Sequence, residues 1–246
     1  MSSNETPAPP RDDAADPDEP QPIDVPVLFE DEDLVVASKP PLLQVHRSHQ
    51  STDRVFLLQE LKRKVERRLF PVHRLDRAAS GVIAMAYSSE AARELQASLS
   101  SDDAIKEYLV LVRGETPERG EIDRQLTDRK VGVKKDAFTS YERIATFSRC
   151  SLVRARIKTG RHRQIRRHFA HLAHQVIGCT HHGKGKINRH FREEYGLPRL
   201  FLHAARLDIR HPTQEGRLVV EAPLWPDLRE FLLRLPDVDR DLVDTL

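Results

Sequence analysis

His73-Arg74-Leu75-Asp76-Arg77-Ala78-Ala79-Ser80-Gly81, running on into Val82-Ile83-Ala84-Met85-Ala86, decides how the rest of the chain is read. A charged loop passes without pause into an apolar run of strand length, so Asp76 sits at the mouth of a buried strand, where a rigid scaffold can present it. Upstream, Val55, Leu58, Leu61, Val65 and Leu69 recur every three or four residues and predict an amphipathic helix over residues 53–69. Arg74 and Arg77 bracket Asp76, which places one carboxylate between two guanidinium groups. An anion in a cationic frame suits a reactive carboxylate awaiting a polyanionic substrate. A surface ion pair is the competing reading.

A second stretch favours the first of these. From Arg154 to Arg192 the chain has eleven Lys or Arg, no Asp or Glu, and seven of its twelve histidines. A one-signed block of this kind is a nucleic-acid footprint by charge. Ile165, Phe169, Leu172, Val176 and Ile177 interrupt it, which points to a folded basic face rather than a solvated tail. After Thr159-Gly160 a helix is expected in which Ile165, Phe169 and Leu172 form the inward stripe, with Arg163, Arg166 and Arg167 together on another face.

The first 26 residues hold seven prolines and seven acids against one arginine, too little apolar surface to order the segment. Removing their charge of −6 from the chain's +2 leaves +8 on the remaining 220 residues, so the expected folded part, 27–246, is basic. No apolar run approaches a membrane span and the N-terminus has no signal or transit character, so a cytoplasmic protein without membrane contact or an obligate protein partner is expected. Cys150 and Cys179 allow at most one disulfide and no zinc knuckle. His168, His171 and His174 recur every three residues, but no nearby carboxylate completes a ligand set, and no metal is expected.

Strand and helix signals alternate along the body. Val27–Phe29 and Leu34–Ser38 flank the polar turn 30–33 as a hairpin, and Ser88 or Ser89 caps a helix through Leu99. Strands are expected over 106–113, with Tyr108 near the start, and over 138–147, 150–158, 206–210 and 217–221. A helix follows Pro226. The fold class is therefore α+β, a mixed and largely antiparallel sheet with flanking helices.

These residues carry a family resemblance. His73 to Gly81 resembles the His-Arg-Leu-Asp-Arg, small residue, Ser-Gly motif of the RluA-type pseudouridine synthases. Lys106-Glu107-Tyr108 is similar to their Lys-x-Tyr, Lys158 to Arg166 to their Thr-Gly-Arg-x-His-Gln-Ile-Arg segment, and Leu202-His203-Ala204 with His211-Pro212 to their last signature. The four motifs keep the family's order across most of residues 34–212. Val45-His46-Arg47-Ser48 after Lys39-Pro40, Arg166 to Leu172, and Leu197 to Ala204 resemble a branch that acts on tRNA at uridine 65. Three positions depart from the pattern: Arg163 stands in place of histidine, Gln175 in place of proline after His174, and Cys179 in place of aspartate after Gly178.

The resemblance implies a pseudouridine-synthase fold and an RNA substrate, tRNA first and ribosomal RNA second. It implies Asp76 as the catalytic carboxylate, Tyr108 packed on the target base and assisting removal of the C5 proton, and Arg166 paired with Asp76. Expected RNA contacts are Arg74 as a wedge or backbone clamp, Arg77, Lys39, His46, Arg47, Arg161 and Leu202, with Arg163 and Arg167 on phosphates. The isomerisation exports no electrons and imports no group, so no cofactor is expected. A non-catalytic RNA chaperone would need the basic face but not the aspartate. A zinc deaminase would need a His-x-Glu and Cys-x-x-Cys apparatus that the sequence lacks.

Overall fold

The computed structural model describes residues 21–47, 51–128, 131–147 and 149–246. A ten-stranded sheet organises them. Its elements are β1 (Val27–Glu30), β2 (Leu34–Lys39), β3 (Phe70–Pro71), β4 (Ser80–Ala86), β5 (Ile105–Arg113), β6 (Arg119–Asp123), β9 (Phe138–Phe147), β10 (Cys150–Ile157), β11 (Leu202–Arg210) and β12 (Arg217–Glu221). The main path runs β1-β2-β4-β11-β5-β10-β9-β6, with β12 on β11 and β3 on β4; β7 (Leu126–Thr127) and β8 (Lys134–Lys135) pair separately. All pairings in the main sheet are antiparallel except β4 with β11, where His203 meets Ser80 and Ala204 meets Gly81.

Period-two alternation divides the core between the sheet's two faces. Ile83 and Met85 of β4, with Val110 and Val112 of β5, join one cluster under α1 (Leu57–Val65) and α3 (Gln164–His171). Val82, Ala84 and Ala86 face α2 (Ser89–Ser100) on the other side. Leu109 and Leu111 face α4 (Gly185–Tyr195), α5 (Pro226–Leu233) and α6 (Arg240–Asp244). A strand covered on both faces needs no polar alternation, which is why residues 82–86 read as a continuous apolar run.

Most expected elements form, including the hairpin, the Ser88-capped α2 and the late strands. Helix α1 is shorter than its periodicity suggested. Its start is delayed by a bridge between Gln44 and Phe56, and it ends where Glu66 turns left-handed at φ 52°. Helix α4 had no place in the sequence reading, although Ile187, Phe191 and Tyr195 are spaced by four. The expected tail lies outside the described residues up to position 20. Beyond it Val25 is buried, and the Ile23 N–H donates to Glu60 at 2.8 Å, so the packed domain reaches a few residues upstream of 27. Among the described residues no helix is long and apolar enough to cross a membrane.

Candidate active site

The loop 72–79 hangs between β3 and β4 on the α1 and α3 side of the sheet, and each motif residue has a separate task. Leu75 and Ala79 anchor it in the core. His73 Nε2 accepts the Ala84 N–H at 2.9 Å, and burial followed by the charge of Lys106 pushes its pKa down to about 4, so the ring is neutral. Ser80 Oγ lies 2.9 Å from His203 Nδ1 and accepts from Arg199 at 3.0 Å. Gly81 has φ +106°, and a Cβ there would lie 2.1 Å from the Ala204 carbonyl, so only glycine lets β4 run this close to β11.

Asp76 is brought against Arg166 from 90 residues away: Arg166 Nη1 donates to Asp76 Oδ2 at 2.7 Å, with the side chains 7% and 19% exposed. This corrects two expectations. Only one flanking arginine is drawn off, since Arg77 is held bidentately by Asp53 at 2.8 and 3.1 Å while Arg74 lines the cleft with Asp76. Second, Arg163, Arg166 and Arg167 do not share one face. Arg166 points inward beside Ile165 and Phe169, Arg163 precedes the helix at a left-handed φ of 54°, and Leu172, 37% exposed, has left the inward stripe. A charge-assisted pair of this kind is far less screened than one at the surface.

Tyr108 lies on β5 between Ala204 of β11 and Ala155 of β10 and packs against the core cluster under α1 and α3. Burial first, then the negative charge of Asp76, push its phenol well up from the ordinary value, so it is protonated at neutral pH. Two expected RNA contacts belong to the interior instead. Lys39, 0% exposed, donates to the carbonyls of Pro40, Leu43 and Arg77 at 2.6, 2.8 and 3.2 Å and ties β2 to the Asp76 loop from beneath. Burial and the charge of Arg199 lower its pKa to about 7, while Asp76 pulls it upward and the three carbonyls suit the ammonium. Leu202, 6% exposed on a central strand, is part of the core beside Tyr108 because an apolar residue there is covered from above.

The cleft above Asp76 has a volume of about 450 Å³. His46, Arg74, Arg77, Arg163 and Arg166 line it, together with His162, His181 and Arg192. Arg47 is exposed in the loop that bears His46, and Arg167 does not line the cleft. Arg161 turns its Nε to the Asp136 carbonyl at 2.9 Å. His168 meets the Thr139 hydroxyl and the Arg124 carbonyl, His171 the Arg124 guanidinium, and His174 the Arg113 carbonyl.

Several structural contributors escaped the sequence reading. Gln164 takes the Thr159 hydroxyl and Arg161 N–H and donates to Phe138, fixing the turn into α3. Arg199 grips Asp227 at 2.6 and 2.9 Å while donating to the Ala78 carbonyl. Arg192 lay inside the basic block, but only the fold of α4 brings it to the cleft. A second hollow of about 550 Å³ at Glu118, Arg119, Glu142 and Arg143 differs in kind: Arg119 is paired with Glu142 and Arg143 with Glu115.

The Asp76 carboxyl held by a buried guanidinium lines a basic cleft on a mixed sheet, and comparison with known proteins supplies the class to which such a site belongs. The sequence profile described as RNA pseudouridylate synthase matches residues 33–171, and the chain belongs to that family. It is 36% identical over 229 residues to tRNA pseudouridine synthase C of Vibrio vulnificus (strain CMCP6), covering 83% of this chain and 94% of that one. It is 35% identical over 242 residues to tRNA pseudouridine synthase C of Salmonella typhimurium, covering 87% and 93%. Among solved structures, human RNA Pseudouridylate Synthase Domain Containing 4 superposes with a TM-score of 0.71 at 20% identity, over 87% of this chain and 95% of that one, a likeness of fold.

Proposed function

We propose that this chain isomerises a uridine of tRNA, at position 65 as the resemblance implies, to pseudouridine, with Asp76 as the reacting carboxylate. The observation that carries the reading is the Asp76–Arg166 pair at 2.7 Å on the floor of a cleft lined by cations. The relatives named tRNA pseudouridine synthase C support tRNA as the substrate class.

The reaction breaks C1′–N1, turns the base, joins C1′ to C5, and moves the C5 proton away while N1 gains one. Atoms and electrons balance within the nucleotide. Asp76 acts by adding to C6 of the uracil, by bonding to C1′, or by taking the 2′ proton; each route uses the carboxylate that Arg166 holds in place. The target base must leave its stack, at a cost of a few kcal/mol. Arg74 and Arg192 meet the displaced backbone, and Tyr108 packs on the base. As a neutral phenol, Tyr108 assists as a relay: its oxygen takes the C5 proton while its own proton passes to water, and N1 gains its proton from water in turn.

The test is release of C5 tritium from labelled unmodified tRNA by the purified protein in buffer with a chelator. Turnover with one pseudouridine formed per tRNA is expected. A strict requirement for a divalent ion in chemistry on prefolded tRNA, or no release, would contradict the reading.

A further inference from the structure

Arg166 is held from two sides. Nη1 meets Asp76, while Nε and Nη2 both donate to the sulfur of Cys179, at 3.3 and 3.2 Å, with His181 Nδ1 at 3.5 Å from Nη2. The same sulfur accepts the backbone N–H of His182 at 3.3 Å. Its position is fixed from behind. Asn188 of α4 accepts from the Gly178 N–H and donates to the Cys179 carbonyl, both at 2.9 Å, and Gly183 packs so close to that carbonyl that a Cβ would sit 2.0 Å away. A planar guanidinium gripped along one edge has little freedom left to rotate, so the direction of its remaining N–H groups is set by the grip.

We propose that Cys179 is a positioning residue whose sulfur holds the Nε–Nη2 edge of Arg166, so that Nη1 is aimed at Asp76 and at no other acceptor. Residue 179 is one of the three positions where the chain departs from the family pattern, and sulfur and carboxylate share the capacity to accept from a guanidinium. The departure keeps the acceptor while changing its chemistry. The proposal rests on the reading of Asp76 and Arg166 as the reacting pair. Buried cysteine also occurs as a small apolar filler, and that role makes the opposite prediction for substitutions.

Cys179→Ser retains an acceptor and loses apolar character; Cys179→Val fills the site and accepts nothing. Single-turnover tritium release at saturating tRNA, tRNA affinity and thermal melts are measured for both, with Asp76→Asn alongside. The valine variant should be about tenfold slower at unchanged affinity, as expected for loss of one charge-assisted contact, and the serine variant within about threefold of the parent. If valine does not fold, Cys179→Ala carries the same expectation. A full rate in the valine or alanine variant, or a serine variant as slow as either, overturns the assignment. Should Asp76→Asn remain active, the reading of the reacting pair falls and the proposal with it. If Asp76→Asn is dead while Cys179→Val is fully active, only the role of Cys179 falls.

Discussion

Arg166 reaches Asp76 through Nη1 while its Nε and Nη2 meet Cys179, and this division of one guanidinium between two partners suits arginine better than lysine. A lysine ammonium at residue 166 is a point charge that cannot span Asp76 and Cys179 together. Arg166→Lys should lower the single-turnover rate by about 100-fold, roughly 2.7 kcal/mol of barrier, with tRNA affinity within about threefold of the parent. Rates and affinities at saturating tRNA check this; a full rate would mean that charge alone suffices. The pair itself was legible from the motifs. The frame around Asp76 was legible only in part: Arg77 turns to Asp53, Arg74 lines the cleft, and the hydrogen-bonded partner arrives from α3. Lys39 was misread for a related reason: a charged residue is placed on the surface by default, and only the three carbonyls that receive it explain its burial.

His203 yields a pH prediction. The Ala222 carbonyl requires a proton on Nε2, and Nδ1 faces the Ser80 hydroxyl, so the buried ring is neutral; burial lowers its pKa to about 4. Between pH 6.5 and 4 the unfolded chain binds a proton that the folded chain refuses. This contribution is therefore intact above pH 6.5 and lost as pH falls toward 4, by up to ~3 kcal/mol. Denaturant melts at pH 7 and pH 4.5 should show His203→Gln losing less stability on acidification than the parent. Equal losses in the two proteins would assign the acid sensitivity elsewhere.

At the scale of elements, the β4–β11 junction holds the site together. It is the one parallel pairing in the main sheet, it places His203 beside Ser80, and it depends on Gly81. Gly81→Ala would add a Cβ 2.1 Å from the Ala204 oxygen at a φ of +106°, so the strands must part or the backbone must change. We expect a loss of more than about 3 kcal/mol in denaturant melts, against about 1 kcal/mol for Ser88→Ala at the α2 cap. Comparable losses in the two variants would contradict this view of the junction. Strands were well legible, since period-two alternation and unbroken apolar runs reflect local burial. Helix ends and α4 were not: α1 is cut short by the Gln44–Phe56 bridge, and α4 is anchored by Phe191 packing against Phe231 of α5 in the core, a contact that leaves little local trace.

For the whole molecule, arginine–carboxylate pairs occur both at the cleft, where Arg77, Arg166 and Arg199 meet Asp53, Asp76 and Asp227, and away from it. Away from the cleft, Arg119, Arg143, Arg154, Arg156, Arg206 and Arg217 each meet a carboxylate. At the cleft, Arg74 and Arg192 have no carboxylate partner among the described residues. The basic block lies in folded structure, as its apolar residues suggested, but not on one face: Arg154 and Arg156 pair with Glu107, while Arg163, Arg166 and Arg192 line the cleft. Arg192→Ala should weaken tRNA binding and reduce the slope of log affinity against log salt by up to about one unit, while Arg119→Ala should change neither. Titrations at several salt concentrations decide it; equal effects from the two variants would mean that the cleft does not define the footprint.

The proposed chemistry turns on the Asp76 carboxylate, and Asp76→Asn removes it while keeping nearly the same shape. Single-turnover release of C5 tritium from saturating tRNA should vanish, while tRNA affinity stays within about tenfold, or roughly 1.4 kcal/mol, of the parent. Turnover comparable to the parent's, with the variant fully bound to tRNA, would contradict the account.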